Sequence, residues 1–326
     1  MGEVILLRKR FSKILKPVSP FNFDATVHKP SHFPTPDHIW EKGKYWQTMR
    51  IDRKILGFKL ENRGKIKRPK IKISLFAKDS LTKDEVKMVL ERIDWQFGFS
   101  EDLSEFYRKF AKDKILAPLF KHYLGMRVNS GEVGLYPMLQ VYIVLQNATV
   151  RRTVQMMNNL LGNYGQKVRF DGKEMYVFWT PEILNKASEK ELRDLKLGYR
   201  AKFLKKIAKD FVEGKIDEVK IKKLPKEEAK KELLKIYGIG PASVDYILFE
   251  VFRRYNVFDY LPPWEQKILS RIIYNKPLVL AKKILSDVQK RWGEWKRFAI
   301  HYLWEDIFWQ RKRGKKIPWL EKEIRL

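Results

Sequence analysis

Over the first hundred residues the apolar positions recur at short, strand-like spacing. Phe23–Val27, Tyr45–Ile51 and Ile55–Leu60 are rich in β-favouring residues. Ile71–Phe76 alternates apolar with basic side chains, as a half-buried strand does. Pro and Gly separate these runs, and an antiparallel sheet is predicted. Lys65, Lys67, Arg68, Lys70 and Lys72 crowd a hairpin and read as a solvated face. From Leu81 the period lengthens to that of helices. Thr82-Lys83-Asp84-Glu85 reads as an N-cap and first turn, and Ser104 opens another helix. Tyr136 to Leu161 predicts one long helix, with Leu139, Ile143, Val150, Val154 and Met157 on its apolar face. Thr180-Pro181-Glu182 is a cap with Pro at the first helical position, and Ser188 with Glu191 makes a capping box. Tyr199–Val212, Lys226–Ile236, Pro262–Ile273, Val279–Trp292 and Trp295–Trp309 complete the helices. Lys312–Lys316 reads as a mobile basic tail. The resulting class is α+β: a β-rich domain over residues 1–100, then a helical region over 101–326.

One segment departs from simple periodicity. Leu233, Leu234 and Ile236 end an apolar helical face, and Tyr237-Gly238-Ile239-Gly240-Pro241 follows, before Val244 and Ile247 begin a new one. Gly238 and Gly240 permit backbone angles that a Cβ penalises. Pro241 suits the first turn of a helix, where its missing N–H costs little. Residues 231–250 thus predict two helices joined by a tight turn. The amides at the second helix's start, Gly238, Gly240 and Val244 among them, are expected to bind a phosphate, which can approach closely where there are no side chains.

Charge sharpens that reading. The chain has 326 residues, 68 Lys+Arg against 39 Asp+Glu, and a formal net charge of +29. Such a bias speaks of partners rather than fold, and nucleic acid is the natural polyanion. A polybasic membrane-surface protein would need an anchor or insertion helix. No apolar run approaches the roughly 18 residues that span a bilayer. No myristoylation pattern, lipid-bearing cysteine or signal peptide is evident. An intracellular, membrane-free, monomeric protein is expected. With no Cys there is no disulfide, thiolate zinc site or iron–sulfur cluster, and the five His show no ligand spacing. No catalytic metal and no organic cofactor are expected. Abundant Lys, Arg and Glu without Cys suit a heat-adapted source.

The helix pair resembles the helix-hairpin-helix of DNA repair glycosylases. Other segments follow the AlkA-type 3-methyladenine DNA glycosylases in order: Asp102–Tyr107 with Ile115–Leu119, Leu145–Val150, Phe178–Glu182, Leu195–Arg200, and Trp292–Ala299 leading to Leu303-Trp304. The resemblance spans about residues 101–310. It implies a β domain followed by two helical lobes with a cleft between them. It implies hydrolysis of the N-glycosidic bond of an alkylated purine flipped out of double-stranded DNA. A monovalent cation on the hairpin carbonyls is a further family feature.

The resemblance also indicates the site residues, and here the chain departs from it. Family members carry a catalytic Asp at a helix start after the hairpin. In Pro262-Pro263-Trp264-Glu265, with Arg271 keeping the spacing of six, that position is Glu265. Glu has one more methylene but the same charge; the alternative carboxylate is Asp259, with Asp245 behind it. Bifunctional relatives place a Schiff-base lysine two residues after the second hairpin glycine. Here that residue is Ala242, so a glycosylase without lyase activity is expected, Lys267 being the nearby substitute. Cationic alkylpurines favour electron-rich rings. Tyr246 and Trp304 stand at the family's pocket aromatics, the third aromatic is missing at Ala242, and Trp264 is a candidate to compensate. Gln146 and Asn147 fall near the family's base-flipping wedge. The rival readings are a glycosylase for oxidised or deaminated purines and a damage-binding module without chemistry.

Overall fold

The computed structural model describes residues 3–52, 54–129 and 134–324. The chain opens with β1 (Ile5–Leu6), β2 (Arg8–Leu15) and α1 (Phe23–Val27). It continues with β3 (His38–Glu41), β4 (Lys44–Ile51), β5 (Lys54–Asn62) and β6 (Ile71–Ala77). Strands β2–β6 form one antiparallel sheet in the order β2-β6-β5-β4-β3. Five helices follow: α2 (Lys83–Phe97), α3 (Ser104–Lys109), α4 (Leu116–Tyr123), α5 (Leu135–Leu145) and α6 (Val150–Tyr164). A hairpin of β7 (Gln166–Phe170) and β8 (Lys173–Val177) then joins β1, β7 lying parallel to it, in a second, three-stranded sheet.

Both faces of the five-stranded sheet are therefore covered. Tyr45, Phe58, Leu60, Ile73 and Leu75 pack against Val89, Ile93 and Phe97 of α2. Trp46 and Phe76 meet Val168, Phe170 and Met175 on the other side. A Cβ at Gly57 would lie 2.4 Å from the Phe170 ring, so glycine makes the room for this second layer. This explains why β6 is buried on both faces, not on one. The basic run Lys65–Arg68 closes its hairpin through a bridge between those two residues.

The remaining helices are α7 (Pro181–Lys186), α8 (Glu189–Leu192), α9 (Arg200–Val212), α10 (Glu218–Lys223), α11 (Lys226–Leu234), α12 (Pro241–Glu250), α13 (Pro263–Tyr274), α14 (Ala281–Trp292), α15 (Lys296–Lys312) and α16 (Pro318–Glu323). The apolar faces of α7–α15 share one continuous core, and α16 packs in a separate cluster with Ile268, Ile307 and Phe308. The predicted caps form: Thr82 with Glu85, and Ser188 with Glu191, are complete capping boxes.

Three expectations are corrected. Phe23–Val27 is a helical turn, not a strand, because the Asn22 side chain accepts the Ala25 amide and caps it. The long helix from Tyr136 to Leu161 breaks into α5 and α6. Asn147 takes a left-handed conformation at φ 48°, and Thr149 caps α6 by accepting from the Arg152 amide. Lys312–Lys316 is not a free tail but a connector, since Ile317 and Leu320 beyond it are buried against Ile268, Ile307 and Phe308.

Candidate active site

The hairpin lies between α11 and α12 as the glycines predict. Gly238 has φ +89°, and a Cβ there would sit 2.9 Å from the Phe203 ring and 3.0 Å from Ile143. Gly240 is extended, faces open space and occupies the N-cap position of α12, with Pro241 next. The first amides of a helix have no partner within it, which leaves those of Ala242 and Ser243 to a ligand. Val244 is a correction: it is 2% exposed and its N–H donates to the Gly240 carbonyl, so it offers nothing to a phosphate. The Gly238 carbonyl accepts from the Gln146 side chain. Gln146 is thereby a brace: its own carbonyl accepts from Tyr199 and Arg200. Asn147 stays exposed beside it and donates to the Tyr199 hydroxyl at 3.4 Å. The break in the long helix is what lifts Asn147 to the surface next to the hairpin.

Three carboxylates follow the hairpin, and the structure gives each a different place. Asp245 is buried and accepts the amides of Asp259 and Tyr260 at 2.8 and 3.2 Å, fixing the strand of chain that leads to α13. Asp259 is 39% exposed and surrounded by Lys226, Lys230 and Lys296. Partial burial works to raise its pKa, but the lysine hydrogen bonds prevail and hold its carboxyl well below the usual range. Glu265, in the first turn of α13, is 1% exposed and accepts from Arg297 Nη1 at 3.1 Å. Burial pushes its carboxyl up, and the guanidinium charge opposes that shift. Burial alone would lower Arg297, and the Glu265 carboxylate instead raises it, so the guanidinium keeps its charge. A carboxylate at this position, in its ionised form, can stabilise a cationic sugar or accept a proton from water.

Tyr246 joins this pair. The Arg297 guanidinium lies 3.9 Å over its ring, with Phe249 and Phe258 around it. The Tyr246 hydroxyl is raised by burial and by the Glu265 charge. One further turn along α12, Glu250 accepts from the Tyr142 hydroxyl at 2.7 Å and sits 3.9 Å from His32. Burial pushes Glu250 up to about 7. On α15, Arg297, His301 and Glu305 recur every four residues, so they share one face of the helix. Glu305 accepts from Ser31, and Lys29, lowered by burial to about 8, lies within its field. Three atoms of this face, Arg297 Nε, His301 Nε2 and Glu305 Oε2, are shut from solvent without a hydrogen-bond partner.

The other expected pocket rings, Trp264 and Trp304, meet each other. Trp264 and Trp304 pack edge to face at 5.6 Å, and Trp304 rests on Phe308 in the cluster held by α16. The structure thus brings Glu265 and Tyr246 together, Trp264 and Trp304 together, and Asp259 to a lysine cage. Lys267 pairs with Glu323 at 3.3 Å, in the direction of α16. Arg297, His301, Glu305, Glu250, Tyr142 and Lys29 were not anticipated. One signal was available: three ionisable residues at four-residue spacing inside a helix whose other neighbours are Phe298, Ala299, Ile300, Tyr302 and Leu303.

Comparison with known proteins agrees with this architecture. The model of the HhH-GPD superfamily of base excision DNA repair proteins matches residues 141–298. A Bacillus subtilis protein named DNA-3-methyladenine glycosylase is 26% identical over 218 residues, covering 66% of this chain and 70% of the relative. The solved 3-methyladenine DNA-glycosylase from Archaeoglobus fulgidus superposes with a TM-score of 0.77 at 20% identity, covering 91% of this chain and 99% of that one. The Clostridium acetobutylicum 8-oxoguanine glycosylase/lyase superposes with a TM-score of 0.70 at 23% identity, covering 93% and 99%. At those identities the two structures speak for the fold. Among the described residues, no helix is long and apolar enough to cross a membrane.

Proposed function

This chain is a DNA glycosylase belonging to the HhH-GPD superfamily of base excision DNA repair proteins, and we propose that it hydrolyses the N-glycosidic bond of a damaged purine flipped out of duplex DNA without cutting the strand. The observation that carries this reading is the buried Glu265 carboxylate beside Tyr246, on the helix that follows the hairpin. In this reading the hairpin amides hold the phosphate of the flipped nucleotide. Asn147, on the exposed turn next to it, occupies the vacated stack. Glu265 stabilises the positive charge that develops on the sugar as the bond breaks, and a water adds at C1′. Asp259 serves this role less well, because three lysines already neutralise it.

Absence of strand cutting is argued from Ala242. A β-elimination needs an amine on C1′. Lys267 is engaged toward α16, and Lys29 donates to two backbone carbonyls at 2.7 Å each. Duplexes bearing one lesion test both claims. Base release that yields breaks only after alkali, and no borohydride-trapped complex, is the expected result. Breaks before alkali, or a trapped adduct, would overturn the absence of lyase chemistry. Tight binding with no base release would leave a damage-binding module.

For the base itself, the name of the Bacillus relative favours alkylated purines. The Arg297 guanidinium on the Tyr246 ring favours the second reading, an oxidised or deaminated purine, because it covers with a cation the face that a cationic base would seek.

A further inference from the structure

We propose that Arg297, together with His301, makes this site select neutral purines that present a lactam edge, O=C–N–H, and disfavour cationic N-alkylpurines. This rests on the glycosylase reading of Glu265 given above.

A base whose sugar approaches Glu265 must come against the groups that surround that carboxylate. Arg297 touches Glu265 at 3.1 Å and covers Tyr246 at 3.9 Å. It is 4% exposed, and its position is fixed further by its own amide, which donates to the Tyr255 carbonyl at 2.9 Å. A planar cation therefore already holds the place between an aromatic face and a carboxylate that a methylated, positively charged base would take. A second cation there meets like charge in a site shut from water, where screening is weak.

Neutral purines meet the opposite condition. Arg297 keeps its Nε–H unpartnered and buried, and this group can only donate. One turn later on the same face, His301 Nε2 is also buried and unpartnered. Burial and the neighbouring cations keep that ring neutral, and its other nitrogen bonds the Arg127 backbone, so Nε2 is the acceptor. A donor and an acceptor four residues apart on one helix face complement a carbonyl beside an N–H. Hypoxanthine carries that edge at C6–N1, and 8-oxoguanine carries it at C8–N7 as well; 7-methylguanine shares the C6–N1 edge and is set apart by its charge, and paired guanine by the cost of flipping it out.

The chemistry follows the same division. When the C1′–N9 bond breaks, its electron pair leaves on the purine. A neutral purine departs as an anion, which the Arg297 charge stabilises through the lactam oxygen until the base takes up a proton. Water forms the new bond to C1′ and gives its proton to Glu265. A cationic N-alkylpurine departs neutral and gains nothing from Arg297.

The test compares single-turnover base release from duplexes bearing hypoxanthine, 8-oxoguanine or 7-methylguanine, each expressed as enhancement over its own spontaneous loss. The wild-type protein is expected to enhance release of at least one neutral lesion tenfold or more above 7-methylguanine. Arg297→Met should reduce that ratio at least tenfold, and Arg297→Lys, which keeps the charge, should still discriminate against 7-methylguanine. Binding to an abasic-site duplex checks that each variant is folded. Equal losses for all lesions in Arg297→Met would make Arg297 a structural partner of Glu265 and overturn the proposal, as would a wild-type preference for 7-methylguanine. No release from any duplex would instead remove the glycosylase reading, and this inference with it.

Discussion

Exchanging Glu265 for Gln keeps the shape of the side chain and removes its charge. At an effective dielectric of about 20, a carboxylate about 4 Å from a cationic sugar contributes about 4 kcal/mol. Since 1.36 kcal/mol is a factor of ten in rate, Glu265→Gln should slow base release by about 10³. Arg297 makes the effect visible. It is fixed 3.1 Å from Glu265, and at about 7 Å from the sugar its repulsion is about 2 kcal/mol, which only the carboxylate outweighs. The substitution also leaves a buried guanidinium without its counter-charge, a loss of up to about 3 kcal/mol of stability. Asp259→Asn is the matched comparison. Asp259 is 39% exposed, so water screens its own carboxylate, and about 1 kcal/mol of stability is the expected loss. Its effect on catalysis should stay within about threefold. The assay is single-turnover release, under conditions where circular dichroism shows both variants folded. A loss of about 10³ in Asp259→Asn with Glu265→Gln near wild type would refute the assignment and transfer the role to the lysine-bound carboxylate.

Other outcomes follow from the geometry. Gly238→Ala must place a Cβ 2.9 Å from Phe203 at φ +89°; it should lower stability by about 1–3 kcal/mol and weaken binding to abasic duplex, read by thermal melting and titration. DNA affinity should fall linearly on a log–log plot against salt; with about 6 phosphates neutralised, the loss between 50 and 200 mM is about 10³, and a flat dependence would contradict an electrostatic interface. Glu250 sits at about 7 in the fold against an ordinary carboxyl value of 4.5. Between those values the folded protein holds a proton that the unfolded chain has released, so this group's contribution declines as pH rises from about 4.5 to 7, by about 3 kcal/mol in all. Glu250→Gln should abolish that part of the melting profile, and an unchanged profile would argue against the buried carboxyl. Asn147→Ala, on an exposed turn, should leave thermal stability within about 0.5 kcal/mol while slowing release from duplex more than from single-stranded substrate.

Local chemistry was legible where a residue acts on its own backbone. Thr82 and Ser188 each cap the helix that their sequence announces. Gly238 and Pro241 set the hairpin between α11 and α12, and Ala242 carries no amine. These depend on φ, on a missing N–H or on a functional group, all fixed by residue identity and near neighbours. The same reasoning failed where two local signals competed. Tyr136–Leu161 has a continuous helical period, yet Asn147 and Thr149 within it stop one helix and cap the next. Val244 was expected to offer its amide, but helix formation claims it for Gly240.

What sequence alone could not supply is the company each charge keeps. Glu265 and Asp259 are six residues apart and chemically near equivalent as text. Folding sends one into a core beside Arg297, and leaves the other among lysines that arrive from α11 and α15. Burial and long-range contacts set the energy of a charge, and neither is encoded within a few residues of it. So the chain by itself determined the hairpin, the net positive charge and the alanine at position 242. Only tertiary packing decided which carboxylate lies buried beside Tyr246, and placed a permanent cation over the ring that had been expected to hold the base.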